Sequence, residues 1–189
     1  MDLQSKDAET VQLLSSLSLD TTTKKSKKTK DVDDRPTFFI RSDWPCRAGG
    51  IIPYIKRDGV TKILLIKREM VKRGERRIVY EDFGGKTDNV DKNIRDTISR
   101  EAFEESNKIF TIQTIKNSIK GPGIYNKKSK YLFYFVKVNE MYDPVIFGDY
   151  EFHDGIFRTV EWVDTNNVEK ITLNYRLKCK WFYDRAKNL

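Results

Sequence analysis

One histidine, His153, and two cysteines, Cys46 and Cys179, with no CxxC spacing are all the soft metal ligands in a chain of 189 residues. That is too few for a Cys/His zinc centre, so any metal here has to be a hard ion held by carboxylates. The sequence also has no run of about 18 apolar residues that would make a membrane-spanning helix. The opening Met1-Asp2-Leu3-Gln4-Ser5 lacks the charged-then-apolar design of a secretory signal. Together these absences lead to the expectation of a soluble, cytoplasmic protein with no membrane partner. Acidic residues are in deficit: Asp+Glu number 28 against 36 Lys+Arg, for a net charge of +8. A surface of that sign favours polyanions such as nucleic acid, nucleotides or inositol phosphates.

The length favours a single domain with tails. Residues 1–36 differ from the rest, because Asp20-Thr21-Thr22-Thr23-Lys24-Lys25-Ser26-Lys27-Lys28-Thr29-Lys30 is polar, repetitive and almost free of apolar side chains. The expectation is a disordered basic tail able to meet RNA, with Val11, Leu13, Leu14, Leu17 and Leu19 able to form a short amphipathic helix ahead of the lysines. Residues 37–189 read as the folded domain. Ile51–Ile55 and Lys62–Ile66 form a predicted hairpin about Lys56-Arg57-Asp58-Gly59. Glu69–Arg77 reads as a charged loop, and Ile78–Phe83 as a short strand running into Gly84-Gly85. Tyr131–Val138 and Arg158–Val163 are further strands. Thr172–Lys187 reads as a closing helix. The order of elements predicts a mixed α/β domain with a sheet between helices.

The informative helix is Asn93–Asn107, where Ile94, Ile98 and Ala102 repeat at i, i+4, i+8 and Asp91 is available as a cap. Glu101, Glu104 and Glu105 stand at i, i+3 and i+4 on it, so three like charges converge on one patch. At about 100° per residue Glu105 falls inside the apolar stripe, and a carboxylate on a buried face needs a cation. Arg100 can neutralise one charge; Mg²⁺ or Mn²⁺, which prefer hard oxygen ligands, account for the whole cluster better.

This segment resembles the Nudix box, the G-x5-E-x7-R-E-U-x-E-E-x-G-U signature of the Nudix hydrolases. Gly85 matches the opening glycine and Arg100-Glu101-Ala102-x-Glu104-Glu105 matches the core in full. There are three departures. Fourteen residues separate Gly85 from Arg100 against thirteen in the pattern, Asp91 stands where the family has Glu, and Asn107 replaces the closing glycine. The resemblance implies an α/β/α sandwich and an enzyme that cleaves a pyrophosphate bond by water attack at phosphorus. It also implies a role for each residue. Glu101, Glu104, Glu105 and the Gly84 carbonyl would hold Mg²⁺ or Mn²⁺, and Glu101 or Glu105 would serve as general base. Arg100, partnered by Asp91, would orient the glutamates. A further acidic ligand would come from a later loop, where Glu151 is favoured over Asp149 and Asp154.

Candidate substrate-binding cations are Arg47, just before the first strand, together with Lys67, Arg68 and Lys86 around the box. Lys72, Arg73, Arg76 and Arg77 are further cations in the loop before it. For Arg47 the structural alternative is an ion pair with Asp43. Tyr54, Tyr125, Tyr131 and Phe147 are candidates to stack on a base, and His153 to contact phosphate. The substrate expected is a nucleoside-diphosphate-linked or polyphosphorylated compound, with the mRNA cap and diphosphoinositol polyphosphates as leading classes. Two other readings stand beside it: a catalytically silent Nudix-fold module that binds RNA or protein, and a plain basic RNA-binding domain. The second lacks any RNP-type or KH-type motif.

Overall fold

The computed structural model describes residues 34–151 and 155–189, apart from the side chains of Lys72 and Glu151. The lysine cluster, the Val11–Leu19 segment, His153 and Asp154 lie outside the described residues. Arg35 and Pro36, which composition assigns to the tail, already give their carbonyls to the domain: Arg35 accepts from Arg47 Nη2 at 2.7 Å and Pro36 from Thr87 Oγ1 at 2.7 Å.

Two short strands, β1 (Phe38–Phe39) and β2 (Pro45–Cys46), pair with each other ahead of the main sheet. The sheet is built on β3 (Ala48–Arg57) and β4 (Val60–Lys72), joined by Asp58 and Gly59 at φ 52° and 75°, the two-residue turn that suits the twist of a hairpin. β4 continues into β5 (Glu75–Glu81) through a second tight turn at Arg73 and Gly74, φ 54° and 81°. The expected charged loop over Glu69–Arg77 is therefore a hairpin, with Glu69 opposite Ile78 and Met70 opposite Arg77. Its charges stand on strands because the ribbon is solvated on both faces and pairs ions along its length, as in Arg76–Glu69 at 3.3 Å.

β6 (Phe83–Lys86) pairs with the first half of β3, whose other edge takes β8 (Tyr131–Lys137) in parallel. β7 (Ile124–Asn126) extends the sheet beyond β8, and β11 (Thr159–Asp164) closes the other side on β4. The minor pair β9 (Tyr150–Glu151) and β10 (Ile156–Phe157) precedes β11.

Alternation along these strands sends neighbours to opposite faces, and both faces are apolar. Ile51, Leu64, Leu132, Tyr134 and Val136 pack on one side with Ile94, Ile98 and Ala102 of α1 (Ile94–Glu105) and Ile115 of α2 (Ile112–Ser118). Ile52, Ile63, Leu65, Tyr131 and Phe133 pack on the other with Phe182 and Ala186 of α3 (Lys180–Lys187) and with Leu173 and Leu177. A sheet buried on both faces needs a layer on each, and the result is a mixed-sheet α/β/α sandwich. No helix among the described residues is long and apolar enough to cross a membrane.

The closing helix is shorter than expected. Residues 172–179 run irregularly, because Leu173 bridges Tyr80 in a strand-like contact and Asn174 N–H donates to the Tyr80 carbonyl at 2.8 Å. Competing hydrogen bonds from β5 keep this stretch out of helix. α1 also begins differently: Asn93, not Asp91, is its N-cap, accepting from the Arg95 and Asp96 amides.

Cys46 is fully buried on the α1 side, and burial pushes its thiol up to about 11. At pH 8 only about a thousandth of it is thiolate, the reactive form. In the native protein iodoacetamide is therefore expected to label the half-buried Cys179 while sparing Cys46 until the chain is unfolded, as read by peptide mass spectrometry. Equal labelling rates would contradict the packing described here.

Candidate active site

α1 is held against β3 and β6 by its apolar stripe, which turns Arg100, Glu101, Glu104 and Glu105 toward the strand that carries Gly84 and Gly85. The approach is close enough to require glycine. A Cβ on Gly85 would stand 2.2 Å from Glu101 Oε2, and one on Gly50, opposite Gly84, would stand 2.3 Å from Asp82 Oδ2.

Arg100 spends all five of its N–H groups here. Nε and Nη2 bind the Asp91 carboxylate at 3.1 and 3.0 Å, and Nη2 also reaches the Lys86 carbonyl at 2.9 Å. Nη1 bridges Glu101 at 2.9 Å and Glu104 at 3.0 Å. Asp91, despite being shorter than Glu, reaches the guanidinium because its own loop is folded around it. Its carboxylate accepts from the Asp88 amide at 2.8 Å and from Thr97 Oγ1 at 2.8 Å. Burial works against the Asp91 charge, yet the Arg100, Asp88 and Thr97 hydrogen bonds hold its carboxyl below the usual carboxylate range.

Glu105 is treated differently. It accepts from the Gly84 amide and makes no hydrogen bond to Arg100. Burial raises its carboxyl well above the ordinary value; Arg176 opposes the shift, and Asp82 and Glu101 add to it by like-charge repulsion. At the far end of α1, Asn107 takes φ 50° and its Nδ2 donates to the Phe147 and Tyr150 carbonyls at 2.6 and 3.0 Å. Arg158 Nη2 donates to the Glu105 carbonyl. These bonds tie the loop that carries Asp149 and Glu151 to the end of the glutamate helix. Asp149 is exposed, and the Glu151 side chain and Asp154 fall outside the described residues.

A second group of charges completes the cleft; of it the sequence reading named Arg68 and missed Glu81, Asp82 and Arg176. Glu81 forms an ion pair with Arg68, Nη2 to Oε1 2.6 Å, and through Oε2 accepts from Arg176 Nη2 at 3.1 Å and Asn174 Nδ2 at 3.0 Å. Asp82 is fully buried, accepts from Tyr131 Oη at 2.8 Å and stands 3.6 Å from Arg176 Nε. The Arg176 guanidinium also lies over the Tyr131 ring, 5.1 Å from its centre. The resulting cleft has a volume of about 330 Å³ and is lined by Arg35, Arg68, Lys86, Arg100 and Arg176 among the cations, and by Glu81, Asp88, Glu101 and Glu105 among the acids.

The sequence candidates therefore divide. Gly84, Lys86, Arg68, Arg100, Glu101 and Glu105 meet in the cleft, with Glu104 attached through Arg100. Arg47 does not line it. Its Nη2 donates to the Arg35 carbonyl, which anchors the segment before β1. Lys67 is engaged by Glu161 at 2.9 Å and sits over the Tyr80 ring. Tyr131 and Phe147 are core side chains, and the Tyr131 hydroxyl is spent on Asp82.

No set of three Asp, Glu, His or Cys side chains among the described residues is already gathered as a cation cage. The donor chemistry nonetheless fits a hard divalent ion. Glu101, Glu104, Glu105 and the Gly84 carbonyl are all oxygen donors, and Glu105 is pressed by Asp82 and Glu101, a repulsion that a cation would relieve.

No family model matches this chain, and no curated protein does. Solved structures do. They include the Ap4A hydrolase of C. elegans, at 17% identity and TM-score 0.45 over 76% of this chain and 96% of that one. The binary complex of a C. elegans Ap4A hydrolase follows at 15% identity and TM-score 0.43, over 75% of this chain and 93% of that one. The NUDIX domain of Shewanella oneidensis NrtR, complexed with ADP ribose, matches at 12% identity and TM-score 0.43 over 76% of this chain and 86% of that one. Likeness at this level carries no weight for activity, which has to be argued from the residues of the cleft.

Proposed function

We propose that this protein is a divalent-metal-dependent pyrophosphohydrolase of the Nudix type. The carrying observation is the Arg100 hub, whose five donors fix Glu101, Glu104 and Asp91 while leaving Glu105 against the Gly84 amide. Holding two mutually repelling glutamates on one guanidinium costs a structure that has no use for them; in a hydrolase it presets the ligands. Glu101, Glu104, Glu105 and Gly84 would hold Mg²⁺ or Mn²⁺, and such an ion neutralises charge that develops on phosphate oxygens.

The chain's own groups divide the remaining work. Glu105, whose carboxyl burial raises well above its ordinary value and which is not hydrogen-bonded to Arg100, is suited to take the proton of an attacking water. Glu101 is held by Arg100 at 2.9 Å, which fixes it as a metal ligand. Lys86, Arg68 and Arg35 line the cleft where the phosphates of a polyphosphorylated substrate would sit, and guanidinium and ammonium groups bind such oxygens with charge-assisted hydrogen bonds. A nucleoside-diphosphate-linked compound, the mRNA cap and a diphosphoinositol polyphosphate all present that chemistry.

The test is a substrate panel of capped RNA, diphosphoinositol phosphates, ADP-ribose, dinucleoside polyphosphates and oxidised nucleotides, assayed with Mg²⁺, with Mn²⁺ and with EDTA. Hydrolysis of at least one class that disappears in EDTA and returns with either metal is the expected result. Hydrolysis unaffected by EDTA would remove the metal from the mechanism, and no cleavage of any member would overturn the reading.

A further inference from the structure

A concavity of about 540 Å³ lies apart from the glutamate cleft and shares no lining residue with it. It opens between β7, the loop before β2 and the outer face of α3. We propose that it is a stacking site for a nucleobase, borne either by a free nucleotide or by a single-stranded RNA.

Its walls are built for a flat ring. On α3, Trp181, Asp184 and Arg185 fall at i, i+3 and i+4, one face of the helix, and with the C-cap Asn188 they line the concavity. The opposite face is locked by Phe182 and Ala186, both buried in the core, so the lining face is presented by a fixed element. Trp181 is 65% exposed, a large apolar side chain left open beside other aromatics. Across from it Tyr125 stacks on Trp44, ring centres 5.2 Å apart and planes 14° from parallel, and the Tyr125 hydroxyl is pinned to the Pro45 carbonyl at 2.5 Å. Arg41 lies over the Trp44 ring at 4.5 Å.

A few rigid aromatics with convergent polar groups are what a small-ligand site requires. Exposed aromatic faces interleaved with guanidinium groups are the means by which proteins hold unpaired bases next to their phosphates. Arg41 and Arg185 supply the cations, and Asp184 supplies an acceptor for a base N–H.

The site also stands beside the cleft along the chain. Arg35 lines the cleft while Arg41 and Trp44, a few residues on, line the concavity. Asn126 of β7, next to Tyr125, donates to the carbonyl of the cleft residue Arg176 at 2.9 Å. In so far as phosphates occupy the cleft, the inference rests on the proposed function. It deepens that function by favouring base-bearing substrates over inositol polyphosphates, which have no ring to stack.

Titration of the full-length protein in EDTA, read by calorimetry, tests this without turnover. The probes are ATP, a five-residue oligoadenylate and tripolyphosphate. Stacking energies correspond to roughly five- to hundredfold in affinity per base. Trp181→Ala is expected to weaken ATP or oligoadenylate by that range and to leave tripolyphosphate unchanged, while Trp181→Tyr retains most of the affinity. The arm that responds identifies free nucleotide or RNA as the source of the base. Arg41→Ala is a second variant, expected to weaken the same probes. Unchanged affinity for both base-bearing probes, or an equal loss for tripolyphosphate, would overturn the proposal. So would a change only in solution mass by light scattering, which would give the face to a second copy of the chain. Because no cleavage is measured, hydrolysis could fail in the substrate panel while the stacking site stands, and the reverse.

Discussion

Glu105→Gln is expected to cut turnover by roughly 10²- to 10⁴-fold, the range for loss of a positioned general base, while the melting temperature stays level or rises. Gln has the length of Glu, and its amide oxygen can still accept from the Gly84 amide, so the backbone contact between α1 and β6 survives. The substitution removes a charge that the fold disfavours. Because the folded carboxyl titrates above its unfolded value, ionised Glu105 costs stability at neutral pH, and that cost builds as pH climbs from the ordinary carboxylate range to the folded pKa. Gln does not carry it. The kinetic signature should be a fall in kcat matched by kcat/KM, since the group acts in the transition state. The measurements are steady-state rates on the best substrate and a thermal melt in EDTA. Turnover close to wild type would remove Glu105 from the chemistry; a large drop in melting temperature would mean that the ionised carboxylate supports the fold.

The sheet and the glutamate helix were legible for the same reason. Both obey local periods: two in Leu132-Phe133-Tyr134-Phe135, whose alternate residues enter opposite cores, and 3.6 in Ile94, Ile98 and Ala102. The closing helix was over-read for a related reason. Leu173 and Leu177 are spaced like helix neighbours, yet Leu173 is bridged to Tyr80 and Leu177 packs in the core from irregular backbone. The β4–β5 ribbon was hidden by its charges, which read as loop although Arg73-Gly74 carries a turn signal. Least legible was the second half of the cleft. Arg176 meets Glu81 across 95 positions of sequence, and no spacing rule brings such partners together. The one available signal was the Glu81-Asp82 pair directly before the glycines, two acids beside the fully buried Phe83. Arg47 shows the converse: its place just before the first strand suggested a phosphate contact, yet it does not line the cleft and its Nη2 donates to the Arg35 carbonyl.

Arg176→Met is the substitution expected to cost the most stability. The guanidinium is only 16% exposed and faces Glu81 and Asp82, whose side chains are 7% and 0% exposed, with Glu105 close enough to feel its charge. Met restores much of the side-chain volume, so packing contributes little to the loss and the uncompensated carboxylates dominate. Removing one partner of a buried ion pair costs about 3–5 kcal/mol, which for a domain of this size lowers the melting temperature by roughly 6–20 °C. The sign of the pH dependence follows from the same contacts. Burial already holds Asp82 above its usual value and Arg176 pulls it back, so without the cation Asp82 and Glu105 titrate higher still. The folded variant then binds protons that the unfolded chain does not, and its deficit against wild type should shrink as pH falls from 7 toward 5. A double variant, Arg176→Met with Asp82→Asn, isolates the pair. Asn keeps an oxygen able to accept from the Tyr131 hydroxyl, and part of the lost stability should return, as a coupling of roughly 0.5–3 kcal/mol. A melting temperature within a degree or two of wild type, or strict additivity in the double variant, would show that the buried charges of this wall do not depend on one another. The cleft would then owe its shape to the Arg100 hub alone.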